Sequence, residues 1–185
     1  MNQHPIFSRM QFNVVGLSQG SLIARYIVES CDTKFPVRNL LTVGGPNNGF
    51  DASSDCEGSD FDNYRCEIQD KITSFPLLSP YNMAIQSTIG PSNYFKDHTN
   101  LEEYLEKATF LPYLNNEKDH PKANRNKKKF EQLNSMYMIR FKRDPIIFPM
   151  ESAWFGETAP DGTVLKMEET EIFLGNTFGL KTLYD

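Results

Sequence analysis

Gly16-Leu17-Ser18-Gln19-Gly20 is the stretch of this chain best suited to do chemistry. A serine between two glycines, after a short apolar run and before an amphipathic one, reads as a nucleophile at a sharp strand-to-helix turn. Glycine has no Cβ, so Gly16 and Gly20 permit a tight turn and a close helix. The Ser18 hydroxyl is then raised above the sheet edge. The Gln19 amide, at the helix start, points at a developing oxyanion. The bland alternative is an ordinary strand–turn–helix with Ser18 as a helix N-cap.

A serine hydroxyl needs a base to take its proton, and a carboxylate to hold that base. The chain order associated with this elbow is Ser, then Asp or Glu, then His. Asp144 fits the acid: it follows the apolar run 136–141, and Pro145 ends further pairing. A turn aspartate before proline is the competing reading. The histidines do not fit. His4 precedes the elbow, and His98 and His120 both precede Asp144.

The elements that must place these groups follow from periodicity. Residues 12–17 read as a strand. Leu22, Ile23, Tyr26 and Ile27 repeat at helical spacing, predicting a helix to about Cys31, with Arg25 and Glu29 as a weak surface pair. Val37 to Val43 reads as a buried strand entering the loop Gly44-Gly45-Pro46-Asn47-Asn48-Gly49. Strand, helix and strand form a βαβ unit, so the sheet is expected to be parallel and the class α/β. From about 51 to 130 the pattern loosens into short helical pieces, an insertion read as a mostly helical cap. The run Lys122 to Lys129 reads as a solvated cap face. Strand character returns at Met136 to Phe141, β-like pieces extend to Phe173, and no terminal helix is expected.

The chain has 185 residues and a formal charge of −5, about one domain with ordinary charge. The mild acidity gives no reason to expect nucleic acid. No run approaches the ~20 apolar residues of a membrane span. No signal peptide opens the chain. The elbow arrives so early that the strands expected before it, one of whose loops supplies a second oxyanion donor, have no room; the chain reads as a fragment. Cys56 and Cys66 sit close enough for a short disulfide. Their spacing does not suit zinc, and no metal or cofactor is expected. Cys31 is left as a buried thiol or the partner of a cysteine beyond this chain. There is no Asn-x-Ser/Thr sequon.

Together, Gly16-Leu17-Ser18-Gln19-Gly20, Val43-Gly44-Gly45-Pro46-Asn47-Asn48-Gly49, the Cys56/Cys66 loop, Phe141-Lys142-Arg143-Asp144, Glu151-Ser152-Ala153-Trp154-Phe155-Gly156 and Gly179-Leu180-Lys181-Thr182-Leu183 resemble the palmitoyl-protein thioesterases, plant-type members above all. The resemblance implies a partial α/β-hydrolase fold, a parallel sheet with flanking helices and a helical cap at about 51–130. It implies hydrolysis of fatty-acyl thioesters, notably on S-acylated proteins, in the lysosome, vacuole or outside the cell. Ser18 matches the nucleophile, Asp144 the acid, Gln19 an oxyanion donor, and Cys56 with Cys66 a disulfide. The family's upstream strands and its downstream histidine segment have no counterpart, so this chain is expected to be inactive alone. A lipid carboxylesterase on the same fold and a non-catalytic truncated product are the competing readings.

Overall fold

A computed structural model describes residues 10–51, 67 and 79–185. Strand β1 (Phe12–Leu17), helix α1 (Gly20–Ser30) and strand β2 (Val37–Val43) form the expected βαβ unit. Strand β3 (Ser135–Ile139) joins the other side of β2. The sheet is parallel throughout, in the order β1-β2-β3. One register row runs Leu17, Val43, Ile139, so all three strands end at the same edge.

Between β2 and β3 the described chain forms short helices: α2 (Met83–Thr88), a 3₁₀ turn at Gly90–Asn93, α3 (Leu101–Lys107), α4 (Leu111–Leu114) and α5 (Ala123–Phe130). Asn82 and Asn100 cap α2 and α3 by accepting from Ala84 N and Glu103 N. After β3 come a 3₁₀ turn at Met150–Trp154, a two-strand ribbon of β4 (Glu157–Thr158) and β5 (Val164–Leu165), then α6 (Glu171–Leu174) and α7 (Leu180–Tyr184). The short terminal helix α7 corrects the expectation of none. Gly179 starts it at φ +98°, a conformation that glycine adopts without a Cβ clash. Phe173, expected in a β-like piece, lies in α6.

Two apolar clusters hold the molecule. The first lies under the sheet, where Ala24 and Val28 of α1, Leu40, Phe130, Phe155, Phe178 and Leu180 meet. The second joins Leu22 to Phe50, Tyr81, Phe95, Tyr104, Leu111 and Ile147. Arg25 and Glu29 bridge the two, and here the structure overturns the expected surface pair: their side chains are 0% and 1% exposed. The Arg25 guanidinium donates to Glu29 (3.1 Å), Asn47 O (2.6 Å) and Asn115 Oδ1 (3.0 Å), and lies over Phe155 and Phe178. Burial pushes the Glu29 carboxyl up to about 7, against the pull of Arg25. The basic helix α5 is not wholly solvated either. Phe130 and Asn126 are buried, Lys129 donates to Cys31 O (2.7 Å) and Arg125 pairs with Asp32.

Candidate active site

Ser18 sits where β1 turns into α1, with φ +50°. A non-glycine residue at positive φ is uncommon and carries backbone strain. The turn is pinned on both sides: Ser18 N donates to Val43 O (2.9 Å), and Ser18 O accepts from Ser21 N (2.9 Å). Gly16 is obligatory here, because a Cβ on it would lie 2.5 Å from Gly20 O and from Ser21 Cα. A Cβ on Gly45 would lie 2.3 Å from the Ser21 side chain, so the loop after β2 also presses on the elbow. Ser18 and Gln19 are both exposed, and no side chain caps the start of α1. The amides of Ser21 and Leu22 bond back into the turn, to Ser18 O (2.9 Å) and Gln19 O (3.1 Å).

Asp144 follows β3 and leaves the sheet from the edge that Ser18 leaves. In a three-stranded parallel sheet the two are separated by one strand, about 10 Å across. Asp144 Oδ1 accepts from Ile146 N (2.9 Å) and Ile147 N (3.1 Å), which holds the carboxylate at the start of its loop. The Phe141 ring lies 2.4 Å from where a Gly44 Cβ would be, so the segment leading to Asp144 packs against the β2 loop. The residues after Asp144 divide: Ile147 is buried in the second cluster, while Ile146 is 38% exposed.

The histidines in the described residues are engaged elsewhere. His98 pairs with Asp51, and His120 Nε2 lies 2.9 Å from Asn116 Oδ1 with its ring against Tyr113. His4, Cys56 and Cys66 lie outside the described residues, and Cys31 is a free thiol.

The sequence reading missed the polar group behind the elbow. Asn48, 2% exposed, donates through its backbone N to Ser152 Oγ (3.1 Å) and through Nδ2 to Phe155 O (3.3 Å) and Glu157 Oε2 (3.0 Å). Its Oδ1 accepts from Lys96 Nζ (3.3 Å) and Asn115 Nδ2 (3.0 Å). Lys96 in turn pairs with Glu117 (2.6 Å) and Glu157 (2.7 Å). Burial works against the Lys96 ammonium, but the two carboxylates outweigh it and raise its pKa. Asn47 donates to Thr42 Oγ1 (3.1 Å) and Ala153 O (2.9 Å). The loop beside Ser18 is thus tied to the middle helices and to the 150–157 segment downstream of Asp144. The only sequence signal was the Asn pair after Gly-Gly-Pro. A cleft of about 580 Å³ flanks β3, lined by Met138, Arg140, Trp154, Val164, Lys166 and Met167, and contains neither Ser18 nor Asp144.

The family model described as palmitoyl protein thioesterase matches residues 2–185. The chain belongs to the palmitoyl protein thioesterase family. Its parallel sheet with flanking helices is accordingly part of an α/β-hydrolase fold. Among its relatives are palmitoyl-protein thioesterase 1 of Caenorhabditis elegans, 29% identical over 94% of this chain and 56% of the relative; palmitoyl-protein thioesterase 3 of Dictyostelium discoideum, 32% identical over 93% and 56%; and lysosomal thioesterase PPT2 of Rattus norvegicus, 28% identical over 92% and 54%. The chain spans about half the length of these curated relatives. No described helix is long and apolar enough to cross a membrane.

Proposed function

We propose that this chain carries the nucleophile and acid of a serine thioesterase that removes fatty-acyl groups from cysteine thioesters. One observation carries the reading: Ser18 is held at positive φ on a strand-to-helix turn, at the sheet edge from which the Asp144 loop departs. Ser18 Oγ attacks the thioester carbonyl, and the Gln19 amide stabilises the oxyanion. The C–S bond breaks, the thiolate leaves, and water releases the fatty acid from acyl-Ser18. Asp144 orients an imidazole that takes the Ser18 proton. Neither His98 nor His120 meets Ser18 or Asp144 through any hydrogen bond described above, so that imidazole must come from beyond them. The segment 51–130 is read as the cap that shapes the acyl site; the Gly90 backbone already lies near the Gln19 side-chain amide. Substrates are S-acylated proteins or fatty-acyl thioesters, with no cofactor required. The compartment is lysosomal or vacuolar, or extracellular, and a Cys56–Cys66 disulfide accords with it.

The engagement of both described histidines favours a second reading, in which the 185-residue chain alone is non-catalytic. Palmitoyl-thioester hydrolysis is measured on this chain and on a form extended to the length of its relatives, each with and without Ser18→Ala, beside a carboxylester of the same acyl chain. Turnover by the extended form alone, abolished by Ser18→Ala, supports the proposal. Turnover only of the carboxylester makes it a lipid esterase. Inactivity of both forms on the thioester overturns it.

A further inference from the structure

We infer that the cavity between α3, the turn after α4, β4 and α6 binds a free aliphatic polyamine of the spermidine type. The cavity holds about 360 Å³, within the usual range of small-molecule sites. Leu101, Leu105 and Ile172 supply apolar wall, and Lys96, Glu117, Glu157 and Glu171 carry its charge. Neither Ser18 nor Asp144 lines it, so the inference stands or falls apart from the thioesterase reading.

The side-chain donors of the described lining residues are all spent inside the protein. Lys96 Nζ gives its three hydrogens to Glu117 Oε1 (2.6 Å), Glu157 Oε2 (2.7 Å) and Asn48 Oδ1 (3.3 Å). The Tyr104 hydroxyl, 0% exposed, donates to Glu117 Oε2 (2.7 Å). Asn116 Nδ2 donates to Ala123 O (3.2 Å) and Thr177 O (3.1 Å), and Thr177 Oγ1 donates to Asn115 O (2.7 Å). A ligand that brings only acceptors, such as a phosphate or a carboxylate, therefore finds no free side-chain donor here. Acceptors remain. A carboxylate has room for about four hydrogen bonds. Glu157 takes its bonds from Lys96 and Asn48 on Oε2, and among the described residues nothing donates to its Oε1. Its side chain is only 15% exposed, so water reaches that oxygen poorly. Glu171 is exposed, and no described residue donates to its carboxylate.

Charge points the same way. Lys96 stays an ammonium: burial opposes it, and the Glu117 and Glu157 carboxylates outweigh burial. Three carboxylates against one ammonium leave the lining with two negative charges. An alkylammonium supplies what is missing: N–H donors for the open oxygens, positive charge, and methylenes for the apolar wall. A polyamine carries several such groups on one chain, enough for both Glu157 and Glu171. Asn48 Nδ2 holds the same Glu157 carboxylate (3.0 Å), so a bound polyamine also braces the loop beside Ser18.

Isothermal titration of spermidine into the 185-residue chain at neutral pH and low salt tests it, alongside thermal unfolding with and without the amine. One saturable site and a raised Tm are expected. Glu171→Gln changes an exposed carboxylate and should leave the circular dichroism as it was. It should weaken binding roughly 10-fold, the low end of what a hydrogen bond to a charged group supplies. Leu105→Trp, at a wall position 38% exposed, should fill the cavity and abolish binding. Glu168→Gln removes the same charge at the cleft beside β3 and should bind as the parent does. Absence of saturable binding overturns the inference. Equal weakening by Glu168→Gln and Glu171→Gln overturns it too, by showing mere attraction to the chain's net charge of −5. Binding that survives both Glu171→Gln and Leu105→Trp places the polyamine elsewhere and overturns it equally.

Discussion

The two faces of the three-stranded sheet are built from the same kinds of residue and meet opposite fates. Val14, Leu40 and Met136 make one register row; Val15, Leu41 and Tyr137 make the next. Leu40 is 0% exposed and packs against α1 and α5, whereas Val15 is 66% and Tyr137 59% exposed. Leu17 and Ile139 continue the open row up to the elbow. Side chains alternate across a strand, so neighbours one residue apart lie in different environments. Parallel sheets in α/β folds normally bury both faces. Among the described residues, helices return to only one. The open face shows that apolar character does not establish burial, since only the packing partner does. The elbow stands where this division ends: Gly16 faces the packed helix, and the exposed Ser18 follows directly on Leu17.

Leu40→Ala should show the contrast most strongly. It removes a fully buried side chain from the first cluster and should cost roughly 2–5 kcal/mol, read as a lower denaturant midpoint at unchanged slope. A loss under about 1 kcal/mol would mean that the packed face is far looser than its burial implies.

The Arg25–Glu29 pair on the packed face gives a pH signature that the open face lacks. The folded-state pKa of Glu29 is raised from 4.5 to about 7. Below pH 4.5 both folded and unfolded chains hold the proton. Between 4.5 and about 7 the folded state keeps a proton that the unfolded state releases, so stability present in acid is lost as pH rises, by at most ~1.4 kcal/mol per pH unit. Tm followed from pH 4.5 to 8 should show this decline, and Glu29→Gln should flatten it. A parent and a Glu29→Gln chain with the same slope would remove Glu29 as its source.

Val15→Thr and Tyr137→Thr should change stability by no more than about 0.5 kcal/mol, because threonine suits a strand and little burial is lost. Each should also lower any concentration-dependent self-association by shrinking an apolar patch. A cost for Val15→Thr comparable to that of Leu40→Ala would show that the open face is covered in solution.

Much of the site was legible locally. Glycine at 16 and 20 around Ser18, an apolar run before it and helical spacing after it depend on neighbours a few residues away. The structure follows them to within a residue or two: α1 ends at Ser30 and β2 covers Val37–Val43. The placement of Asp144 at the same sheet edge followed from strand order alone. The middle segment was legible only as short helical pieces. The chain over Leu101–Leu114 breaks after Lys107 into α3 and α4.

Arg25 and Glu29 mark where sequence reading stops. Two opposite charges four apart look the same on an exposed or a buried helix face, because the spacing is a property of the helix alone. Burial came from Asn47, Asn115, Phe155 and Phe178, residues up to 153 positions away from Arg25. The same holds for Asn48, Lys96, Glu117 and Glu157, whose bonds cross the whole chain. The sequence by itself determined the elbow, the parallel βαβ unit and the family, since these rest on local backbone demands and motif order. Tertiary structure alone decided which apolar face is covered and which charges are buried, along with what holds the loop beside Ser18. Those outcomes depend on contacts between distant segments, and no local pattern encodes them.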